Sequence, residues 1–145
     1  MTLTKNDITG LYTAIVTPFN SDKSVDHKAL ADLVTRQLAA GATGIVPIGG
    51  TGEYPALSRQ ERKDIVKTCV DAAGTAPVIP GVLSTGFQDA LEAGRDFAQA
   101  GAAGVMTVTP YYAAGTQDGM REYFANYRNE VGVPVLLYEI PRRTT

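Results

Sequence analysis

The sequence predicts an α/β protein of the (β/α)8 TIM-barrel class, covering about the first four βα units and the fifth strand. Three observations predict it. Five continuous apolar runs alternate with four amphipathic segments, the pattern of parallel strands joined by crossover helices. Polar and glycine-bearing stretches follow the second, fourth and fifth runs, where parallel α/β folds place their sites. No Gly-x-Gly-x-x-Gly follows the first run, so a dinucleotide-binding sheet lacks its usual mark and the barrel is preferred.

After a polar lead-in over residues 1–9, Leu11–Thr17 reads as a buried strand stopped by Pro18. Asp26 can cap a helix whose apolar positions Leu30, Leu33, Val34 and Leu38 keep three-four spacing, with Gly41 ending it. The second strand is 44–48. Ser58 and Glu61 form a capping box ahead of a helix with Ile65, Val66, Cys69 and Val70 inward and Gly74 at its end. The third strand is 77–82. A helix from Phe87 to Ala100 turns Ala90, Leu91, Phe97 and Ala98 inward, and Gly101 ends it. The fourth strand, 104–109, stops at Pro110. The fourth helix runs from about Asp118 to Val131 with Met120, Tyr123, Phe124 and Tyr127 apolar, and the fifth strand is 134–138.

Residues 1–145 read as one domain with no internal boundary. A whole barrel takes about 250 residues. The 145 residues are therefore expected to be a fragment, or a half-barrel completed by another chain. A net charge of −2 and a pI near 5.3 point to no nucleic-acid or membrane-surface partner. The single cysteine, Cys69, excludes an intrachain disulfide and a multi-cysteine zinc site. No apolar run reaches transmembrane length, and the N-terminal stretch lacks a signal peptide's apolar core, so the expected location is cytoplasmic.

The central stretch is Gly49-Gly50-Thr51-Gly52-Glu53, between the second strand and second helix. Glycines let the backbone approach a ligand closely. Successive N–H groups in such a turn make a small anion site, fit for a carboxylate or phosphate. Spacing alone equally allows a tight connection that binds nothing. Tyr54 and Glu53 can simply shape the turn; Glu53 can instead cap backbone groups, a role preferred over catalysis. Tyr111 serves packing or chemistry, Arg142 is a solvated charge, and His27 is a surface residue at a helix start.

Ala14-Ile15-Val16-Thr17-Pro18-Phe19, the Gly-Thr-Gly-Glu core at 50–53, Thr107 to Tyr112, and Tyr138-x-Ile140-Pro141-x-Arg143-Thr144 stand in order along the chain. Together they resemble the dihydrodipicolinate synthase / N-acetylneuraminate lyase family of class I pyruvate aldolases. The match runs from about Gly10 to Thr144. The resemblance implies a (β/α)8 barrel, a homo-oligomer built as a dimer of dimers, and catalysis without metal or organic cofactor. It implies a lysine on the sixth strand that forms a Schiff base with pyruvate or another 2-oxo acid. By the same resemblance, Gly50 and Thr51 hold the pyruvate carboxylate through N–H groups and the Thr51 hydroxyl. Tyr138 is the proton-transfer residue. Tyr112 crosses a tight dimer interface in the synthases. Arg143 meets the second substrate's carboxylate, a task suited to its bidentate fork.

Three departures follow. The lysines are Lys5, Lys23, Lys28, Lys63 and Lys67, none at a strand end, so the Schiff-base lysine is expected beyond this chain. Gly50 stands where the synthases carry threonine and the sialic-acid lyases usually carry serine. A hydroxyl relay through position 50 is thereby lost. Branches acting on sugar-derived 2-oxo acids include members with this Gly-Gly-Thr-Gly-Glu turn. Glu139 replaces the common asparagine, adding negative charge beside Tyr138 and pointing to a different substrate. The rival reading, from a different class, is a catalytically inactive half-barrel acting as a binding or assembly module.

Overall fold

The apolar runs form strands and the three-four patterned segments form helices, in the order the sequence sets. In this computed structural model, which describes residues 3, 4, 6–113 and 115–144, the elements are β1 (Tyr12–Ala14), α1 (His27–Ala39), β2 (Gly44–Val46), α2 (Arg59–Ala73), β3 (Gly81–Val82), α3 (Phe87–Gln99), β4 (Val105–Val108), α4 (Gln117–Val131), β5 (Val135–Tyr138) and a single turn, α5 (Pro141–Thr144). Lys5 lies outside the described residues.

Every strand pair is parallel. Tyr12 faces Gly44 and Ala14 faces Val46, Gly81 faces Met106, and Val105 faces Val135 through to Val108 facing Tyr138. A single parallel bridge, Ile45 to Val78, joins the two ladders. The strands thus run in the order β1-β2-β3-β4-β5, an arc of a barrel.

The regular strands are shorter than the apolar runs that predict them, with only three residues in β2 and two in β3. Pro47, Pro77 and Pro80 explain this. Proline has no N–H to donate to a ladder. Their carbonyls still accept, from Gly81 N at 3.0 Å, Ile45 N at 3.0 Å and Met106 N at 2.9 Å.

The helix starts follow their caps. Asp26 accepts from Ala29 N at 2.8 Å. Both halves of the Ser58/Glu61 capping box are present. Thr116 caps α4 by accepting from Gly119 N at 3.1 Å, so that helix begins at Gln117, one residue earlier than expected. Consecutive helices pack side by side on one face of the sheet. Between the layers lie Leu30, Val34, Ile65, Val66, Cys69, Leu91 and Phe97 against Ile45, Val82 and Val105. Burial pushes the Cys69 thiol up to about 12. His27 is exposed, its ring nitrogen 2.8 Å from the Thr68 hydroxyl.

Two faces differ from expectation. On α3, Ala93 and Gly94 are buried with Ala90, Leu91 and Phe97, while Ala98 is half-buried. The cause is α4: the Tyr127 hydroxyl donates to Ala90 O at 3.2 Å. A Cβ on Gly94 would stand 2.3 Å from that hydroxyl. On α4, Tyr127 is fully buried, whereas Met120, Tyr123 and Phe124 are half-buried. Tyr123 stacks on Tyr127 with ring centroids 6.2 Å apart.

The helix layer stops short of β5. Register puts Val82, Thr107 and Leu137 in one lateral row. Val82 and Thr107 are 0% exposed, but Leu137 is 66% exposed. No helix among the described residues is long and apolar enough to cross a membrane.

Candidate active site

The chain leaves β2 through a turn under strain. Ile48 adopts φ 48°, a left-handed conformation that a β-branched residue rarely takes. Such conformations cost on the order of 1–3 kcal/mol and persist where the surroundings over-determine them. Here the surroundings are specific. The Ile48 side chain is fully buried. Gly52 lies against its backbone so closely that a Cβ there would stand 2.6 Å from Ile48 N. The buried Thr17 hydroxyl donates to Gly52 O at 2.8 Å, tying the end of the first apolar run to the turn. Glu53 follows at φ 61°, exposed and with no side-chain cap bond, so of its two readings it shapes the turn rather than capping backbone groups.

This geometry leaves donors free. Within the turn, Glu53 N donates to Gly50 O and Tyr54 N to Gly49 O, both at 3.3 Å. Among the described residues no acceptor meets the N–H groups of Gly50 and Thr51. Thr51 is exposed.

Tyr54 is anchored rather than incidental. Its ring is 2% exposed. Its hydroxyl lies 2.7 Å from the buried Ser84 hydroxyl. The Arg62 guanidinium sits 3.8 Å above the ring, and Arg62 Nε donates to Tyr54 O at 3.1 Å. Burial raises the Tyr54 phenol above its ordinary range, opposed by the Ser84 bond and Arg62. Tyr111 donates to Leu83 O at 2.9 Å. The loop after β3 is thus gripped by two tyrosines, one from each neighbouring loop.

A pocket of about 240 Å³ lies over the turn, walled by Gly50, Pro55, Leu83, Val108, Tyr111, Ile140, Arg143 and Thr144. Arg143 enters from α5, whose turn is closed by Arg143 N donating to Ile140 O at 2.8 Å. Among the described residues Arg143 has no carboxylate partner. The Arg143 cation and Gly50 therefore share one small, mostly apolar recess with Thr51 next along the turn, an arrangement suited to a carboxylate.

The five sequence-predicted residues are distributed unevenly. Gly50 and Arg143 line the pocket and Thr51 adjoins it on the turn. Tyr138 ends β5 half-buried, its carbonyl accepting from Thr109 N at 3.0 Å, and is not a wall of the pocket. Tyr112 is fully exposed at φ 74°, apart from the other four. Sequence reasoning missed Thr17 and Ser84. Both are polar residues closing an apolar run, the same signal that drew attention to the other strand ends. Nothing local marked Tyr54 as more than turn-shaping. No group of three metal-ligating side chains gathers among the described residues.

Known proteins share this partial fold. The chain matches the Dihydrodipicolinate synthetase family over residues 7–145. A 4-hydroxy-tetrahydrodipicolinate synthase of Sorangium cellulosum is 46% identical over 139 residues, spanning 94% of this chain and 46% of the relative. One from Nitrobacter hamburgensis is 42% identical over 141 residues, spanning 97% and 47%. Among solved structures, a chloride-inhibited dihydrodipicolinate synthase of Acinetobacter baumannii complexed with pyruvate superposes with TM-score 0.90 at 35% identity, covering 94% of this chain and 47% of that one. A prophage protein of the dihydrodipicolinic acid synthase family from E. coli K12, in complex with pyruvate, gives 0.89 at 30%, covering 94% and 46%. The chain spans about half the length of these relatives. With the family matched along nearly all its length and the partial α/β barrel shared, this chain belongs to the dihydrodipicolinate synthetase family.

Proposed function

We propose that the chain supplies the carboxylate-binding and proton-transfer part of a Schiff-base lyase or aldolase acting on pyruvate or another 2-oxo acid. One observation carries this reading: Arg143 and Gly50 line one small pocket with Thr51 next along the turn, and among the described residues the guanidinium has no carboxylate partner and the Gly50 and Thr51 N–H groups meet no acceptor. Two solved relatives bind pyruvate by their own descriptions, which agrees with an acid of that size.

In this proposal the 2-oxo acid lays its carboxylate on the turn, and a lysine amine attacks the carbonyl carbon and expels water to form the imine. Tyr138, at the end of β5, acts as general acid and base near the imine and the 2-oxo oxygen, giving the departing oxygen the proton with which it leaves as water. Tyr112, fully exposed on its left-handed backbone, contacts a second subunit of a homo-oligomer, a dimer of dimers. The lysine comes from outside this chain. Lys28, Lys63 and Lys67 pair with Asp32, Asp96 and Asp71 on the helices, Lys23 is exposed in a turn, and none lines the pocket. That same placement favours the second reading, in which the chain binds the acid but performs no chemistry.

Pyruvate with borohydride, followed by intact mass, tests the proposal. The 145-residue chain should form no adduct, while pyruvate shifts the Gly50 and Thr51 amide resonances. Any longer product of the same gene should gain a reduced pyruvyl adduct. An adduct on the short chain would overturn the lysine assignment. Pyruvate binding by both forms with an adduct on neither would leave the binding module. No pyruvate-dependent shift would overturn the reading as a whole.

A further inference from the structure

The glycines around the turn are not equivalent. A Cβ on Gly52 would stand 2.6 Å from Ile48 N and 3.1 Å from Ile15 O, and one on Gly81 would stand 2.8 Å from Gly49 Cα. Backbone forbids a side chain at both. Gly50 is different. Its φ lies outside the left-handed region, and it is exposed. The one heavy atom within 4 Å of a Cβ built there is Arg143 Nη1, at 3.2 Å. The main chain does not require glycine at position 50. What its bareness provides is room for the guanidinium.

That room sets where Arg143 reaches. With nothing but a glycine beneath it, the guanidinium settles directly on the turn whose Gly50 and Thr51 N–H groups are free. A carboxylate taken up by those N–H groups comes within reach of the Arg143 fork. We propose that Gly50 and Arg143 form a specificity pair: the missing side chain lets Arg143 close on the same carboxylate the turn holds, so the pocket selects monocarboxylic 2-oxo acids with an uncharged tail. The remaining walls agree. Pro55, Leu83, Val108 and Ile140 are apolar, Tyr111 commits its hydroxyl to Leu83 O and Thr144 its own to Ile140 O. Among the described residues no second cation lines the pocket. A second carboxylate on the ligand would be desolvated with no partner, which is unfavourable. A volume of about 240 Å³ is below the usual range for drug-sized ligands, roughly 300–1,000 Å³. This inference rests on the 2-oxo acid reading and sharpens it.

The test is an amide-shift titration of the 145-residue chain with sodium pyruvate and, separately, with disodium 2-oxoglutarate, for wild type, Arg143→Gln, Gly50→Thr and the double variant. Wild type should favour pyruvate. Arg143→Gln should weaken pyruvate about tenfold or more, the scale of one charge-assisted hydrogen bond. Gly50→Thr should produce a similar loss by pushing the guanidinium off the turn. The double variant should be little worse than either, because both break one contact. If Arg143 instead serves a separate anion, Arg143→Gln leaves pyruvate affinity unchanged and weakens only the dicarboxylate; that result overturns the pair. Thermal unfolding supplies the second readout. Gly50→Thr should melt with wild type. A large drop in its melting temperature would show that the main chain does need glycine there, and would overturn the argument at its root. Failure of wild type to bind either acid overturns the 2-oxo acid reading itself, and is distinguishable from both results.

Discussion

β2 and β5 both end in the candidate site, and they are supported in opposite ways. β2 is buried along its length, flanked by β1 and β3, and hands the chain to a turn locked by Ile48, Gly52 and the Thr17 hydroxyl. β5 is half-buried, exposes Leu137 at 66%, and hands the chain to α5, a single exposed turn held by carbonyl Ile140. The N–H groups proposed to take the carboxylate are thus fixed by the core, which suits electrostatic recognition by preorganised donors. The guanidinium arrives on a lightly held arm. The difference assigns stability to the β2 turn and adjustability to Arg143.

The largest test of this contrast deletes similar groups on both sides. Ile48→Ala should cost about 2–5 kcal/mol, the usual range for emptying a buried aliphatic site. Leu137→Ala should change stability by about 0.5 kcal/mol or less, as exposed substitutions do. Urea unfolding measures both; comparable losses would sink the contrast. Next in size, Tyr54→Phe should cost about 1–3 kcal/mol, because the buried Ser84 hydroxyl loses its partner. A double-mutant cycle with Ser84→Ala should show clear coupling, and additive losses would refute the pairing.

A third effect is read from pH. Burial in the covered half raises the Cys69 thiol from 9.0 to about 12 and the Tyr123 phenol from 10.0 to about 12. The folded chain therefore holds these protons more tightly than the unfolded one. Their contribution is complete below pH 9.0 and is lost as pH rises from there toward about 12. Melting temperature should fall across that window, by the equivalent of on the order of 1 kcal/mol near pH 10. Cys69→Ala should flatten the early part of the fall; an unchanged slope would contradict the assignment. The smallest effect concerns the arm: Arg143→Ala should shift stability by no more than about 0.5 kcal/mol while weakening pyruvate binding about tenfold or more. A marked loss of stability would mean that Arg143 is part of the fold rather than poised on it.

The sequence alone determined what depends on near neighbours. Alternating apolar runs and three-four patterned segments set the order of strands and helices. Asp26, Ser58 and Glu61 declared their helix starts, because a cap and its N–H lie three residues apart. Gly50, Thr51 and Arg143 were singled out by the family resemblance of their motifs, and the fold brings Gly50 and Arg143 onto one pocket. The tertiary structure decided what depends on distant residues meeting. Prolines trimmed the strands once ladder donors were counted. Tyr54 and Ser84, separated by 30 positions, became a pair, as did Thr17 and Gly52, separated by 35. Adjacent glycines also parted ways: Gly52 is held bare by Ile48 and Ile15 backbone, whereas Gly50 is bare only toward Arg143. No single-residue signal separates those two, because what would meet their side chains is set by the left-handed backbone at Ile48, by Ile15 just past β1 and by Arg143 on α5.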